Sequence, residues 1–307
     1  MNSEVSRGAP ASGPSAASTS APTREVGSSG VTGGAPRDTS EFITPAPTEA
    51  VDDVPEAYDL ECQVESDGAE PKSCSWGDPD GTFDVAVVGD SKALQWTSAF
   101  DEVGRTEGWR VTTWTKSACA FADVVQTQNG QPYDSCVEWN AAVLAELEAS
   151  RPDVLVTSQR SSSAMPPEGG DSSSDAMVAG LERRWQQVTD LGIRVVVLLD
   201  NPAPPDEVYE CVAENLDSLT TCAFDRAEGV ERSAAPELTA AAEALGDTVG
   251  VADMTPWVCP TEQCAPVIGD VLVYRQGSHL TDTYVRSTAD MMRDELVAAI
   301  GAAGKES

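Results

Sequence analysis

The stretch FDVAVVGDSKALQW, Phe83 to Trp96, decides the fold. Its first half is an unbroken run of β-branched and small apolar residues closed by Gly89-Asp90, which is how a strand buried on both faces reads. Its second half begins at Ser91 and carries helix formers, so the strand passes directly into a helix. A serine at that junction projects from the carboxyl end of the strand. The unpaired N–H groups of the helix start lie beside it, and the helix dipole there favours negative charge. That setting suits a nucleophile whose reaction passes through an oxyanion. It equally suits an ordinary N-cap serine with no chemistry, so the turn alone leaves both readings open.

Four further apolar runs have the same character: Arg110–Thr115, Asp153–Ser158, Ile193–Asp200 and Thr248–Met254. Amphipathic stretches separate them near Ala93–Glu107, Cys136–Ser150, Asp175–Leu191 and Arg226–Leu245, and a last one covers Thr281–Ala303. Strands alternating with helices predict an α/β fold, a three-layer α/β/α sandwich around a five-stranded parallel sheet. Any ligand then sits at the carboxyl ends of the strands. The polar loop Ser161–Asp175 is expected to be mobile.

Residues 1–55 are rich in Ser, Ala, Gly and Pro and are expected to form a disordered linker, leaving residues 56–307 as one domain. The net charge of −32 argues against nucleic-acid or anionic-membrane surfaces as partners, and solubility alone would explain it. Eight cysteines fall as four close couples: Cys62 with Cys74, Cys119 with Cys136, Cys211 with Cys222, and Cys259 with Cys264. Disulfides and an oxidising compartment are the expectation, with the connectivity open. No couple has CxxC spacing and the chain has one histidine, so no metal and no cofactor is expected. The start MNSEVSRGAPASG is not a signal peptide and no later stretch is long and apolar enough to span a membrane. The expectation is a domain taken from a longer, membrane-anchored protein.

The single histidine, His279, stands in YRQGSHLTDTY (Tyr274–Tyr284), just before the last helix and after the fifth strand. The chain returns there to the strand carboxyl ends, so His279 is the one imidazole able to act as general base for Ser91. These residues carry a resemblance. GDSKALQW, TKSAC (Thr115–Cys119) and CAPVIGDVLVYRQGSHLT (Cys264–Thr281) resemble the SGNH (GDSL-type) hydrolase superfamily. Within it they are similar to the extracytoplasmic SGNH domains fused to acyltransferase-3 membrane proteins, whose patterns read GDSHA.QW, TKS.C and C.....VIG..LVYRD..HLT. The likeness runs from about Glu61 to the C-terminus. It implies a flavodoxin-like SGNH fold and O-acyl transfer, usually of acetyl, from a serine acyl-enzyme to a cell-surface or cell-wall carbohydrate. It also implies an acyl donor delivered by a membrane domain fused upstream, and a tether at the outer face of the plasma membrane.

Three departures from the pattern matter. Gln276 takes the place of the aspartate three residues before His279, where a glutamine oxygen holds the tautomer without supplying charge. If it does so, Gln276→Asp should raise the rate; Asp282 or Asp270 is the alternative partner. Lys92 follows Ser91 where relatives commonly have histidine. With Asp90, Lys116 and Arg275 it is expected on the rim of the site, where a basic patch offsets developing negative charge or meets an anionic acceptor. The oxyanion hole implied by the family takes the Ser91 N–H and a main-chain N–H after the second strand, here Ser117. Its third donor is an asparagine after the third strand; only Gln159 or Arg160 stands there. Two other functions compete: a carbohydrate or lipid esterase using the same Ser–His site, and a weakly catalytic glycan-binding remnant with Trp96, Trp139 and Trp257 as sugar platforms.

Overall fold

Alternate residues of the strand Phe83–Gly89 serve two cores. Val85 and Val87 join one apolar cluster and Ala86 and Val88 the other, all at or below 1% exposure. A strand has a side-chain period of two, so a run apolar at every position needs a helical layer on each face. Both layers are present in the computed structural model of the chain, which describes residues 34–166 and 169–304. Helices Thr97–Glu107 and Ala289–Ala302 cover one face; Asp134–Ser150, Ser174–Asp190 and Ala235–Leu245 cover the other.

The central sheet has seven strands: β1 (Gln63–Val64), β2 (Ser73–Gly77), β3 (Phe83–Gly89), β4 (Trp109–Lys116), β5 (Val154–Ser158), β6 (Arg194–Leu198) and β7 (Val249–Ala252). The five expected strands are β3 to β7, all parallel, in the order β4-β3-β5-β6-β7. The short strands β1 and β2 are additional and lengthen the sheet along the outer edge of β4, β1 parallel and β2 antiparallel to it. Connections leave β3 first toward β4 and then return past it to β5, so the strand order reverses between β3 and β5. A crevice opens at the carboxyl ends of strands at such a reversal. Ser91 follows β3 and Gln159 follows β5 at that point. A Cβ on Gly89 would lie 2.0 Å from the Ser158 carbonyl oxygen, so the glycine lets the turn pass against β5.

Three of the expected helices are interrupted. The stretch expected as Ala93–Glu107 is a turn at Ser91–Leu94 followed by Thr97–Glu107. Arg226–Leu245 breaks at Ser233, which is extended; its hydroxyl accepts from the Ala235 N–H to cap the second half. Thr281–Ala303 breaks at Thr288, whose hydroxyl donates back to the Val285 carbonyl. Pairing of Ala164–Met165 with Val125–Gln126 holds the start of the polar loop expected to be mobile.

The linker assignment needs correction at its C-terminal end; residues 1–33 lie outside the described residues. Thr44 exchanges main-chain hydrogen bonds with Asp270 and Leu272, both at 2.9 Å. The short 3₁₀ turn Pro47–Asp52 buries Ala50 completely. Asp53 then accepts the N–H groups of Asp282 (on its carbonyl) and Thr283 (on its carboxylate), occupying two free donors at the start of the helix Asp282–Ser287. Main-chain pairing of this kind needs few apolar side chains, which is why composition alone misses it.

The four cysteine couples are four disulfides, Cys62–Cys74, Cys119–Cys136, Cys211–Cys222 and Cys259–Cys264. Cys62, Cys119, Cys136, Cys259 and Cys264 are fully buried. No helix among the described residues is long and apolar enough to cross a membrane.

Candidate active site

Ser91 is the first residue of the turn that follows β3, and Asp90 is its cap. The Asp90 carboxylate accepts the Lys92 N–H at 2.8 Å through one oxygen and the Arg160 N–H at 3.0 Å through the other. It thereby ties the serine turn to the segment leaving β5. Asp90 is fully buried, and burial raises its carboxyl to about 6 despite the two donors. It is an anchor under the turn rather than part of a rim.

His279 lies in a tight return between Tyr274 and Leu280, with Gly277 at φ +60 inside it. Its Nε2 is 2.9 Å from Ser91 Oγ. The two residues are 188 positions apart in sequence and meet only because the strand order brings both to the reversal point. The ring's other nitrogen, Nδ1, is 3.3 Å from the main-chain carbonyl oxygen of Gln276. Position 276 thus serves the imidazole through its backbone, and the Gln276 side chain is exposed. Neither alternative carboxylate fills the gap: Asp282 pairs with Arg286 at 2.6 Å, and Asp270 accepts from the Ser40 hydroxyl. A carbonyl acceptor selects the tautomer with the proton on Nδ1, leaving Nε2 free to take the proton of Ser91. Gln276→Ala is expected to change the reaction rate of Ser91 by no more than about twofold, because the contact is retained; steady-state kinetics check it.

Burial, with the charges of Lys92 and Arg275 next and of Arg160 last, pulls His279 down to about 3. The imidazole is therefore a neutral base across the ordinary pH range. With the folded pKa depressed, the unfolded chain binds the proton more tightly, so this group disfavours the fold as pH drops from about 6.5 toward 3. The chain has one histidine, so a ¹⁵N-histidine NMR spectrum has one imidazole to report. It is expected to stay neutral from pH 8 to pH 5, where an unperturbed ring (pKa about 6.5) would be mostly protonated.

The expected basic rim is not a rim. Lys92 is 1% exposed, and its ammonium lies 3.0 Å from Asp200 Oδ1 and 2.8 Å from Asn201 Oδ1. Lys116 is fully buried and donates to the carbonyls of Glu65, Ser66 and Gly68 at 2.6–3.0 Å, over the ring of Tyr133. Burial lowers it to about 8. Arg275 is 5% exposed, donates to the Leu280 carbonyl and stacks over Tyr58. A chain with so few cations uses these three as internal ties.

Ser117 does not fit its oxyanion assignment, because its N–H is donated to the Val64 carbonyl at 2.8 Å. Strand β1 extends the ladder of β4 by that residue. The next residue, Ala118, adopts φ +51, the left-handed region that favours glycine, and its N–H has no partner among the described residues. After β5, Gln159 is 1% exposed with its side-chain Nε2 unpartnered, whereas Arg160 is exposed. Of the tryptophans considered as sugar platforms, Trp96 and Trp139 are core residues and Trp257 is half-buried. Sequence reasoning missed Asp200, Asn201 and Gln95, although polar residues at the carboxyl end of a buried strand, as in LLDN (Leu198–Asn201), are a usable signal.

Residues 61–294 match the model of the SGNH domain fused to AT3 domains. No curated protein sequence matches the chain. Among solved structures, the periplasmic domain of a lipopolysaccharide acetyltransferase from Salmonella ser. Paratyphi A is similar in fold. Its TM-score is 0.52 at 12% identity, covering 71% of this chain and 85% of that one. A GDSL-like lipase from Bacteroides thetaiotaomicron has a TM-score of 0.40 at 13% identity, covering 71% of this chain and 87% of that one. A putative acylhydrolase from Bacteroides fragilis has a TM-score of 0.40 at 11% identity, covering 73% and 89%.

Proposed function

Since the chain belongs to the SGNH domains fused to AT3 domains, we propose that it transfers an O-acyl group, acetyl foremost, through an ester on Ser91 to a hydroxyl of a cell-surface carbohydrate. The observation that carries this reading is the 2.9 Å contact between Ser91 Oγ and His279 Nε2 at the open end of the sheet. The serine hydroxyl attacks the acyl carbonyl as His279 takes its proton. The tetrahedral oxyanion collapses, and the leaving group departs with that proton. An acceptor hydroxyl, deprotonated by the same ring, then attacks the ester and restores the free serine. The oxyanion falls to the Ser91 N–H at the helix start, the Ala118 N–H and the Gln159 amide, none of which has a partner among the described residues. Where His279 turns cationic in the transition state, the Gln276 carbonyl stabilises it through a dipole rather than a full charge.

Family membership supports an upstream membrane domain as the source of acyl groups, and four disulfides support a location outside the cytoplasm. The acetyltransferase periplasmic domain of similar fold supports acetyl as the group carried. The test is incubation with an activated acetyl ester, with and without oligosaccharide acceptors, followed by mass spectrometry. An acetyl adduct on Ser91 that passes to the sugar supports transfer. An adduct lost only to water makes the chain an esterase, and no adduct leaves a glycan-binding remnant.

A further inference from the structure

We propose that Lys92 is a positioning residue: its buried ammonium, seated on Asp200 and Asn201, clamps the main chain beside His279 in place of the missing aspartate. Resting on the Ser91–His279 reading, the clamp consists of the contacts that flank the ring. Lys92 Nζ donates to the Ser278 carbonyl at 2.7 Å, and Asn201 Nδ2 donates to the same oxygen at 2.9 Å. On the other side, the Leu280 N–H donates to Gln95 Oε1 at 3.1 Å. Gln95 Nε2 in turn shares Asn201 Oδ1 with Lys92, at 2.9 and 2.8 Å. The residues before and after His279 are therefore bonded to one buried network. Two of its members, Lys92 and Gln95, come from the serine turn, and two, Asp200 and Asn201, from the end of β6. The nucleophile and the base are held by the same side chains.

An ammonium fits this seat and a neutral amine does not. Three acceptors lie within 3.0 Å of Nζ, namely Asp200 Oδ1, Asn201 Oδ1 and the Ser278 carbonyl, with the Ser278 hydroxyl a longer fourth at 3.3 Å, and only the charged form has three protons to give. Local stability does not call for the residue, since a cation in a first helical turn opposes the dipole. An aspartate beside the imidazole would orient the ring directly and stabilise its cation. Here orientation comes through main-chain atoms on both sides of the ring, plus the Gln276 carbonyl on Nδ1. The cationic groups that act on the ring are Lys92 from the serine turn, Arg275 from the same return between Tyr274 and Leu280, and Arg160 from the segment after β5. The acids are Asp200, paired to Lys92, Asp90, capping the serine turn, and Glu207, whose carboxylate accepts the Gly277 N–H at 2.7 Å.

The test compares the full chain with Lys92→Met/Asp200→Asn, in which both charges go together so that neither is left buried alone. Fluorophosphonate labelling of Ser91 is expected to slow by about 10- to 100-fold, the scale of a misplacement near 1 Å. The imidazole titration, read by ¹⁵N-histidine NMR, is expected to rise, since the Lys92 charge is among those that lower it. A folded double variant with unchanged labelling overturns the clamp, whatever its titration does. If the double variant does not fold, Gln95→Met tests the neutral side: slower labelling with an unmoved titration supports the clamp, and unchanged labelling overturns it. If the native chain itself is not labelled, the functional reading falls. The clamp is then judged on the imidazole alone, where an unaltered titration and line width in the double variant overturn it.

Discussion

Ser91→Ala and His279→Ala are each expected to reduce acyl turnover by about 10⁴- to 10⁶-fold, and the double variant to be no worse than the poorer single one. The reason is the shared proton. Ser91 Oγ is a weak nucleophile until Nε2, 2.9 Å away, accepts its hydrogen, so removing either partner disables the same step. Turnover of an activated acetyl ester, followed with each variant at equal folded concentration, measures the effect. Additive losses would mean that the two side chains act independently. That would place the base elsewhere in a chain that has no second histidine.

The largest stability effect is expected at Lys92. Lys92→Met leaves Asp200 charged or protonated in a site where it is 3% exposed, and breaking one half of a buried ion pair costs about 3–5 kcal/mol. Adding Asp200→Asn removes the stranded charge and should recover most of that loss, because a buried pair often contributes little net stability beyond its neutral replacement. Urea unfolding of the native chain and both variants gives the comparison. A single variant as stable as the native chain would show that Asp200 does not depend on the lysine. The same pair then separates two roles for one residue: stability returns in the double variant, while the positioning of His279 does not.

The strands were legible because burial on both faces forces continuous apolar runs, and β3 to β7 fall on the five runs read from the sequence. The serine turn was legible for a related reason: Gly89 and Ser91 sit at a strand-to-helix junction whose geometry is local. Helix interruptions at Ser233 and Thr288 were not, since each depends on one side chain bonding its own backbone. The segment around Thr44 and Asp53 escaped composition because main-chain hydrogen bonds to distant residues hold it.

By itself the sequence pointed to the layered α/β class, to four cysteine couples by their proximity, and to His279 as the partner expected for Ser91 by the scarcity of imidazoles. Those features depend on periodicity, short chain separation or a unique residue type. Only the tertiary structure decided what the charged and polar residues do. Lys92 and Lys116, expected at the rim, point inward, because a buried seat of carbonyls and a carboxylate replaces the water an ammonium would otherwise keep. Gln276 meets the imidazole of His279 through its carbonyl rather than its amide, and Ser117 gives its N–H to a strand that composition did not reveal. Which atom of a residue meets which partner is set by long-range packing, and no local pattern carries that information.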